Sequence, residues 1–330
     1  MRFFHKRHHN DDGFALISVL IVFSVLGVLV MTILYNTTEI YVKAAKLITI
    51  SRSHYAAESA VNNAILNLYS DLTVFPERRL GEIDYSSSNT KRFLADNVAH
   101  AVEIDEFELF FTIKDANCGI DISGAYPADN IRAILGNSFS DDEKNFLDFT
   151  AVMSRITDYT DKNQLVSADG MEAAEYQNIN YQTMPRNKKF AYKEEIFLIP
   201  GIRNYIDFNE YGICDLLKTI PLNGMRRISG RANLYAAPPA LITQICKFTL
   251  EERQLLETAM QNWQKHGIQL AKQLSPEMMG KLNSSFSTYE SGCYIINTQN
   301  SQDGYIKNLQ IILKIDSNGS DMNFYEYRYY

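Results

Sequence analysis

The sequence predicts an α+β fold in which a long N-terminal helix is followed by strands, a large helix-rich block and a second set of strands. Three observations carry this prediction. From Asn36 to Leu72 neither Pro nor Gly occurs, and apolar residues recur at helical spacing. Phe107–Lys114 and the stretches from Cys293 onward read as strands, whereas between about Asp129 and Leu274 the periodicity is mainly helical. With 330 residues, 46% apolar and 22% charged, the chain is long enough for two compact units of roughly 100–200 residues each.

The balance of 32 Lys plus Arg against 39 Asp plus Glu, a formal net charge of −7, argues against a general nucleic-acid binder that works by counterion release. Six His and four Cys (Cys118, Cys214, Cys246 and Cys293) include no C-x-x-C pair, which excludes a zinc ribbon and a thioredoxin-like motif. The cysteines allow two disulfides and leave their pairing open. The 20 Tyr and 18 Phe, several of them near the end of the chain, fit a β-rich C-terminus.

The first element is the N-terminal helix. Residues 1–13 carry Arg2, Lys6 and Arg7, and Phe14 to Tyr35 carry no charge at all. At 1.5 Å per residue that run is about 33 Å of helix, which matches the ~30 Å hydrocarbon core of a bilayer. A secretory signal has a shorter apolar stretch and a small-x-small cleavage site, and neither is seen here. The positive-inside rule places residues 1–13 in the cytoplasm and the bulk of the chain outside it. Beyond Tyr35 the pattern becomes amphipathic through Ile40, Ala44, Leu47, Ile48, Tyr55, Ala56, Ala60, Ala64 and Leu68. One helix over 14–72 follows, its first part (14–35) in lipid and its second part lying along a soluble domain.

Residues 73–100, with Pro76, Gly81 and Ser86–Asn89, read as a loop, and Phe107–Lys114 as the first strand. In the helical block, Phe146, Phe149, Val152, Ile156 and Tyr159 mark one face. Thr249–Leu274 is a second long candidate, with Leu255, Leu256, Met260, Trp263 and Ile268. Cys293–Ile296, Leu309–Ile315 and Phe324–Tyr330 return to strands, the last two joined by a hairpin loop at Asp316–Ser320.

The basic leader, Gly13 followed by Phe14, the apolar helix and its continuation through His54–Ala60 resemble a type IV prepilin or a type II secretion pseudopilin. The resemblance implies cleavage by a prepilin peptidase between Gly13 and Phe14, with Phe14 as the methylated mature N-terminus. Most such proteins carry Glu at the fifth mature position, and here that position is Ser18. The family that lacks this Glu is the large minor pseudopilin, general secretion pathway protein K (GspK). Further motifs follow in the order of that family. Cys118–Gly124 resembles its Asp-x-Ser-Gly turn, Ile156–Asn163 stands where it has Asp-Trp-x-Asp-x-Asp, and Gly170–Tyr176 resembles Gly-Ala-Glu-x-x-Tyr-Tyr. Glu194–Ile202 resembles Glu-Leu-x-x-Val-Pro-Gly-Ile, and Ala232–Pro238 resembles Asn-x-Asn-Thr-Ala. Tyr159 replaces the Trp, Lys162 and Asn163 replace acidic or small residues, and Tyr235 stands where Asn is common.

The implied layout is a pilin-like antiparallel sheet under the N-terminal helix. It divides the chain into a leader (1–13), the helix (14–72), the first part of the pilin-like domain (73–127), an inserted all-α domain of SAM-like type (128–280) and the C-terminal strands (281–330).

Asp158, Asp161, Asn163, Glu172 and Glu175 offer five oxygen-bearing side chains in a short span, the donor type that Ca²⁺ takes, although the order of an EF-hand loop is absent. The resemblance, to a calcium-binding subunit, implies the same ion. Ile199–Ile202 and Asn233–Pro239 also resemble helix-hairpin-helix DNA-binding modules, with Lys188, Lys189, Arg203, Arg226, Arg227 and Arg231 around them. The acidic chain and its expected placement favour an interaction fold without nucleic acid. No Cys–His pairing or G-x-S-x-G elbow supports an enzyme.

The expected function is structural: a minor pseudopilin of the cell inner membrane, single-pass, capping the tip of the type II secretion pseudopilus and taking part in its initiation and in protein export. Its partners are the I- and J-type minor pseudopilins, met through Ser18, Ala44, Ile48, Tyr55, Ala56 and Ala60 of the helix. The alternatives are a type IV pilus minor pilin and a membrane-tethered DNA-binding protein.

Overall fold

The computed structural model describes residues 11–76, 78–81, 92–104, 107–139, 143–181, 184–208, 214–219, 231–300, 308–315 and 322–329. Residues 1–10 of the leader, the Ser86–Asn89 stretch, Arg226, Arg227 and the hairpin loop Asp316–Ser320 lie outside the described residues. The chain forms two units, Met1–Tyr55 and Ala56–Tyr330.

The first element is α1 (Asp11–Val74), which holds no Pro and is continuous through Gly13 and Gly27 as well as through the Gly-free stretch after Asn36. Its portion in the first unit is exposed nearly throughout, apolar on every side up to Tyr35 and mixed with Glu39, Lys43, Lys46 and Arg52 beyond it. In the second unit, Ala57, Val61, Ala64, Ile65, Leu68 and Leu72 form one stripe, spaced three and four residues apart as a packed helical face requires.

That stripe packs on a five-stranded antiparallel sheet of order β1-β2-β5-β6-β7, made of β1 (Asp96–Ile104), β2 (Phe107–Asp115), β5 (Cys293–Asn300), β6 (Leu309–Ile315) and β7 (Met322–Tyr329). Side chains alternate across it. Phe111, Ile113, Tyr294, Ile296, Leu309, Ile311, Leu313 and Ile315 face α1, while Cys293, Ile295 and Ile312 form a separate cluster with Ala116, Cys118 and Ala236. β1 begins inside the span 73–100 expected to be a loop and runs four residues past it. Its sequence lacks a clean alternation because it is an edge strand with only part of one face covered.

β2 and β5 are neighbours in the sheet, with Asp115 opposite Tyr294, yet the whole helical block lies between them in sequence. The block contains α2 (Pro127–Leu135), α3 (Glu143–Thr160), α4 (Ala173–Asn178), α5 (Pro239–Cys246), α6 (Leu250–His266) and α7 (Pro276–Ser285), with 3₁₀ turns between them. It is not wholly helical: β3 (Ile120–Asp121) and β4 (Leu217–Lys218) form a short parallel pair at its base. The block is also wider than 128–280, since α2 begins at Pro127 and α7 runs to Ser285.

The predicted face of α3 is buried at Phe149, Val152, Ile156 and Tyr159, but Phe146 is 42% exposed and Met153 takes its place inside. The long candidate at Thr249–Leu274 is α6 followed by a 3₁₀ turn (Leu270–Lys272). Thr249 and Glu252 close a capping box at its start, and Gly267 ends it at φ 64°. Leu256, Met260 and Trp263 are buried there, whereas Leu255 stays exposed. Trp263 donates to the Asp96 carbonyl at 3.0 Å, tying the block to β1.

Candidate functional site

Three places in the chain carry chemistry or contact beyond the core: the two portions of α1, the acidic segment after α3, and the joint where the end of α1, the sheet and the inserted block meet.

In the first unit, α1 is long and apolar enough to cross a membrane. Gly13 and Phe14 belong to its first turns, and Ser18 is half-buried. Ala44, Ile48 and Tyr55 are exposed. Ala56 and Ala60, assigned from the amphipathic pattern to the same contacts, are not available for them: they are 3% and 0% exposed, packed on Phe107 and Leu109 of the chain's own β2. The alanines are small because the helix lies close over the sheet, and a period of 3.6 does not say which surface covers a stripe. On the flank of this portion Glu58 accepts hydrogen bonds from Tyr327 and Tyr329 of β7, both at 2.9 Å.

The acidic segment begins at the end of α3. Asp158 is fully buried and its carboxylate accepts the Ser167 amide at 3.1 Å. Gly170 is required beside it, because a Cβ there would run into Asp158 Oδ2. Asp161 accepts from the Asn163 amide at 3.1 Å and from Asn163 Nδ2 at 2.8 Å, and Asn163 Oδ1 accepts from Leu165 at 2.6 Å. Glu172 and Glu175 form a reciprocal capping box at the start of α4. Glu172 is 5% exposed and its Oε1 has no hydrogen-bond partner among the described residues. Burial, then Asp158, Asp161 and Glu175, push its carboxyl above the usual range. Among the described residues no three acidic, His or Cys side chains stand close enough to hold one ion as placed. The orphaned Glu172 oxygen and the carboxylates that raise its pKa nevertheless have the donor chemistry a hard cation takes.

Sequence reasoning missed the joint. Buried Arg78 donates to Asp71 of α1, to Glu290 Oε2 at 2.7 Å and to the Phe93 carbonyl at 2.6 Å. Arg92 also donates to Asp71 at 2.7 Å, and Glu290 accepts from the Ala95 amide at 2.7 Å and from Tyr294 at 3.0 Å. A second knot surrounds Asp115, which accepts from Ser291, Asn117 and Asn233. Asn233, from the Ala232–Pro238 motif, is fully buried there. These partners are far apart in sequence, so no local signal announces them.

The Gly201 turn expected to resemble a phosphate-binding hairpin has φ 86°, a Cβ there would press on Val152 and Arg155 of α3, and Arg155 donates to the Pro200 carbonyl at 2.9 Å. Arg203 lies over the Phe197 and Phe208 rings. Lys188 and Lys189 are exposed.

No family model and no curated protein matches the chain. Among solved structures it is similar to a chain in the crystal structure of the GspK-GspI-GspJ complex from the type 2 secretion system of enterotoxigenic Escherichia coli. The TM-score is 0.55 and the identity 12%, over 87% of this chain and 99% of that one. The two share a fold.

Proposed function

We propose that this chain is a structural minor pseudopilin of the K type, without catalytic activity, that works in a type II secretion system beside other minor pseudopilins. The observation that carries the reading is the architecture. A long apolar-then-amphipathic helix lies on an antiparallel sheet split between β2 and β5 by a helical block, and nearly the whole length of a chain from the GspK-GspI-GspJ complex has the same fold. The prepilin-like leader, and Ser18 where most pilin-type subunits carry Glu, support it independently.

Under this reading the peptidase cuts before Phe14, which is then methylated, the apolar part of α1 holds the chain in the inner membrane, and residues beyond it lie in the periplasm. The subunit caps the tip. A Glu at the fifth mature position offsets a neighbouring subunit's N-terminal amine inside an apolar bundle, where an unpaired charge is expensive. Ser18 has no charge to give, which suits a subunit with no neighbour stacked above it. The inserted block blocks stacking in the same direction.

N-terminal sequencing of the membrane protein should begin at Phe14, and a label on the chain should appear at one end of imaged pseudopili. A start at Met1 in cells with the peptidase, or labels spaced along the shaft, contradicts the reading.

Asp158, Asp161, Asn163, Glu172 and Glu175 would hold Ca²⁺, which neutralises their mutual repulsion. With its pKa raised by folding, Glu172 stabilises the fold only while protonated, so its contribution is lost as pH rises through its titration. Calcium takes the ionised form. Melting of the chain should therefore rise with millimolar calcium over chelator, more at pH 7.5 than at pH 5, and Glu172→Gln should remove the difference. Equal melting in calcium and chelator at both pH values rules the ion out.

A further inference from the structure

The chain leaves the sheet at Asp115, the end of β2, and returns to it at β5, and a cysteine stands on each side of that gap. Cys118 lies just past the exit, and Cys293 is the first residue of β5. The Ala116 amide donates to the Cys293 carbonyl at 2.9 Å, so Ala116 sits opposite Cys293 and Cys118 is the next residue on that side. Both cysteines belong to one small apolar cluster with Ala116, Ala236, Ile295 and Ile312, at 5% and 0% exposure. In a regular ladder such diagonal neighbours stand about 7–8 Å apart between Cα atoms, a little beyond the roughly 4.4–6.8 Å of a disulfide. The ladder ends at Asp115, whose carboxylate turns the chain by accepting the Asn117 amide at 2.7 Å, so the segment with Cys118 is not held to ladder spacing. Cys214 and Cys246 belong to the separate core of the inserted block.

We propose that Cys118 and Cys293, free thiols in this structure, form a disulfide that staples the base of the inserted block to the sheet. The proposal rests on the reading that this part of the chain lies outside the cytoplasm, where disulfides persist. Two thiols lose two protons and two electrons and gain one S–S bond. The electrons and protons pass to the disulfide of a thiol–disulfide oxidant protein, which leaves as a dithiol. The bond forms during folding, because in the finished core burial, then Asp115, with Cys118 among the smaller causes, pushes the Cys293 thiol up to about 12 and removes the thiolate that exchange requires. Once formed, it lies out of reach of reductants.

The test uses the full-length chain in cells. Thiols are alkylated before lysis, and the extracted protein is unfolded without reductant, alkylated with a second reagent, digested and weighed. The proposal expects the Cys118 and Cys293 peptides as one species that reduction splits, and the second reagent on Cys214 and Cys246. All four cysteines alkylated, in a chain whose globular part is cut by protease added to spheroplasts, overturns the staple while leaving the topology intact. Free thiols in a chain the protease does not reach overturn the topology and the staple together. Melting adds a second readout: Cys118→Ser, Cys293→Ser and the double variant should lose the same amount, whereas additive losses mean two separately buried thiols.

Discussion

The two portions of α1 share one backbone hydrogen-bonding pattern and meet different surroundings. Between residues 16 and 49 large apolar side chains are exposed on every side, Phe23 at 70% and Met31 at 73% among them. Between 56 and 72 the helix is narrow on one side, with Ala57, Ala60, Ala64 and Leu68 fully buried against the sheet. Backbone propensity does not separate the two, since neither holds a Pro and both form helix. Side-chain size and its distribution do. Bulk all round suits a surrounding that comes from outside the chain, lipid or other subunits, whereas a stripe of small residues lets the chain's own strands come close.

Substitutions that act on one portion only should sharpen the contrast. The largest effect is expected at Asp71, buried at the end of the second portion and paired to both Arg78 and Arg92. Asp71→Ala takes the carboxylate from Arg92 and leaves buried Arg78 with Glu290 alone, and should destabilise the globular unit by about 3–5 kcal/mol, read by thermal or denaturant unfolding. Ala60→Leu forces extra atoms between the helix and β2 and should cost about 1–3 kcal/mol. Glu58→Gln keeps an acceptor for Tyr327 and Tyr329 but removes its charge, with an expected loss of about 1 kcal/mol. Ile33→Ala, at a residue 59% exposed in the first portion, should change unfolding by less than about 0.5 kcal/mol. A destabilisation by Ile33→Ala equal to that of Ala60→Leu would erase the contrast.

How far each region was legible follows the same line. The helix was readable along its length because hydrophobicity and the lack of breakers are local signals. So were β2, β5 and β6, which are buried enough to alternate or to be apolar throughout. β1 was not readable, because an edge strand covered on part of one face has little pattern to show. The role of Ala56 and Ala60 was misread for a different reason: periodicity announces a covered face and leaves the covering partner unnamed. The joint was invisible, since Arg78 and Glu290 are 212 residues apart and either alone looks like an ordinary surface charge. Of the acidic segment, composition was readable, while the burial of Asp158 and the orphaned oxygen of Glu172 needed the fold.

The central claim, which rests on the proposed function, is that the first portion of α1 serves other subunits and the second serves the chain itself. A photoactivatable side chain placed at Ile40 or Ile48, both exposed, tests it in secreting cells. The account predicts an adduct with the helix of another minor pseudopilin, identified by mass spectrometry of the cross-linked peptides. Cross-links only to the chain's own globular unit, or to no pseudopilin at either position while secretion continues, would contradict it.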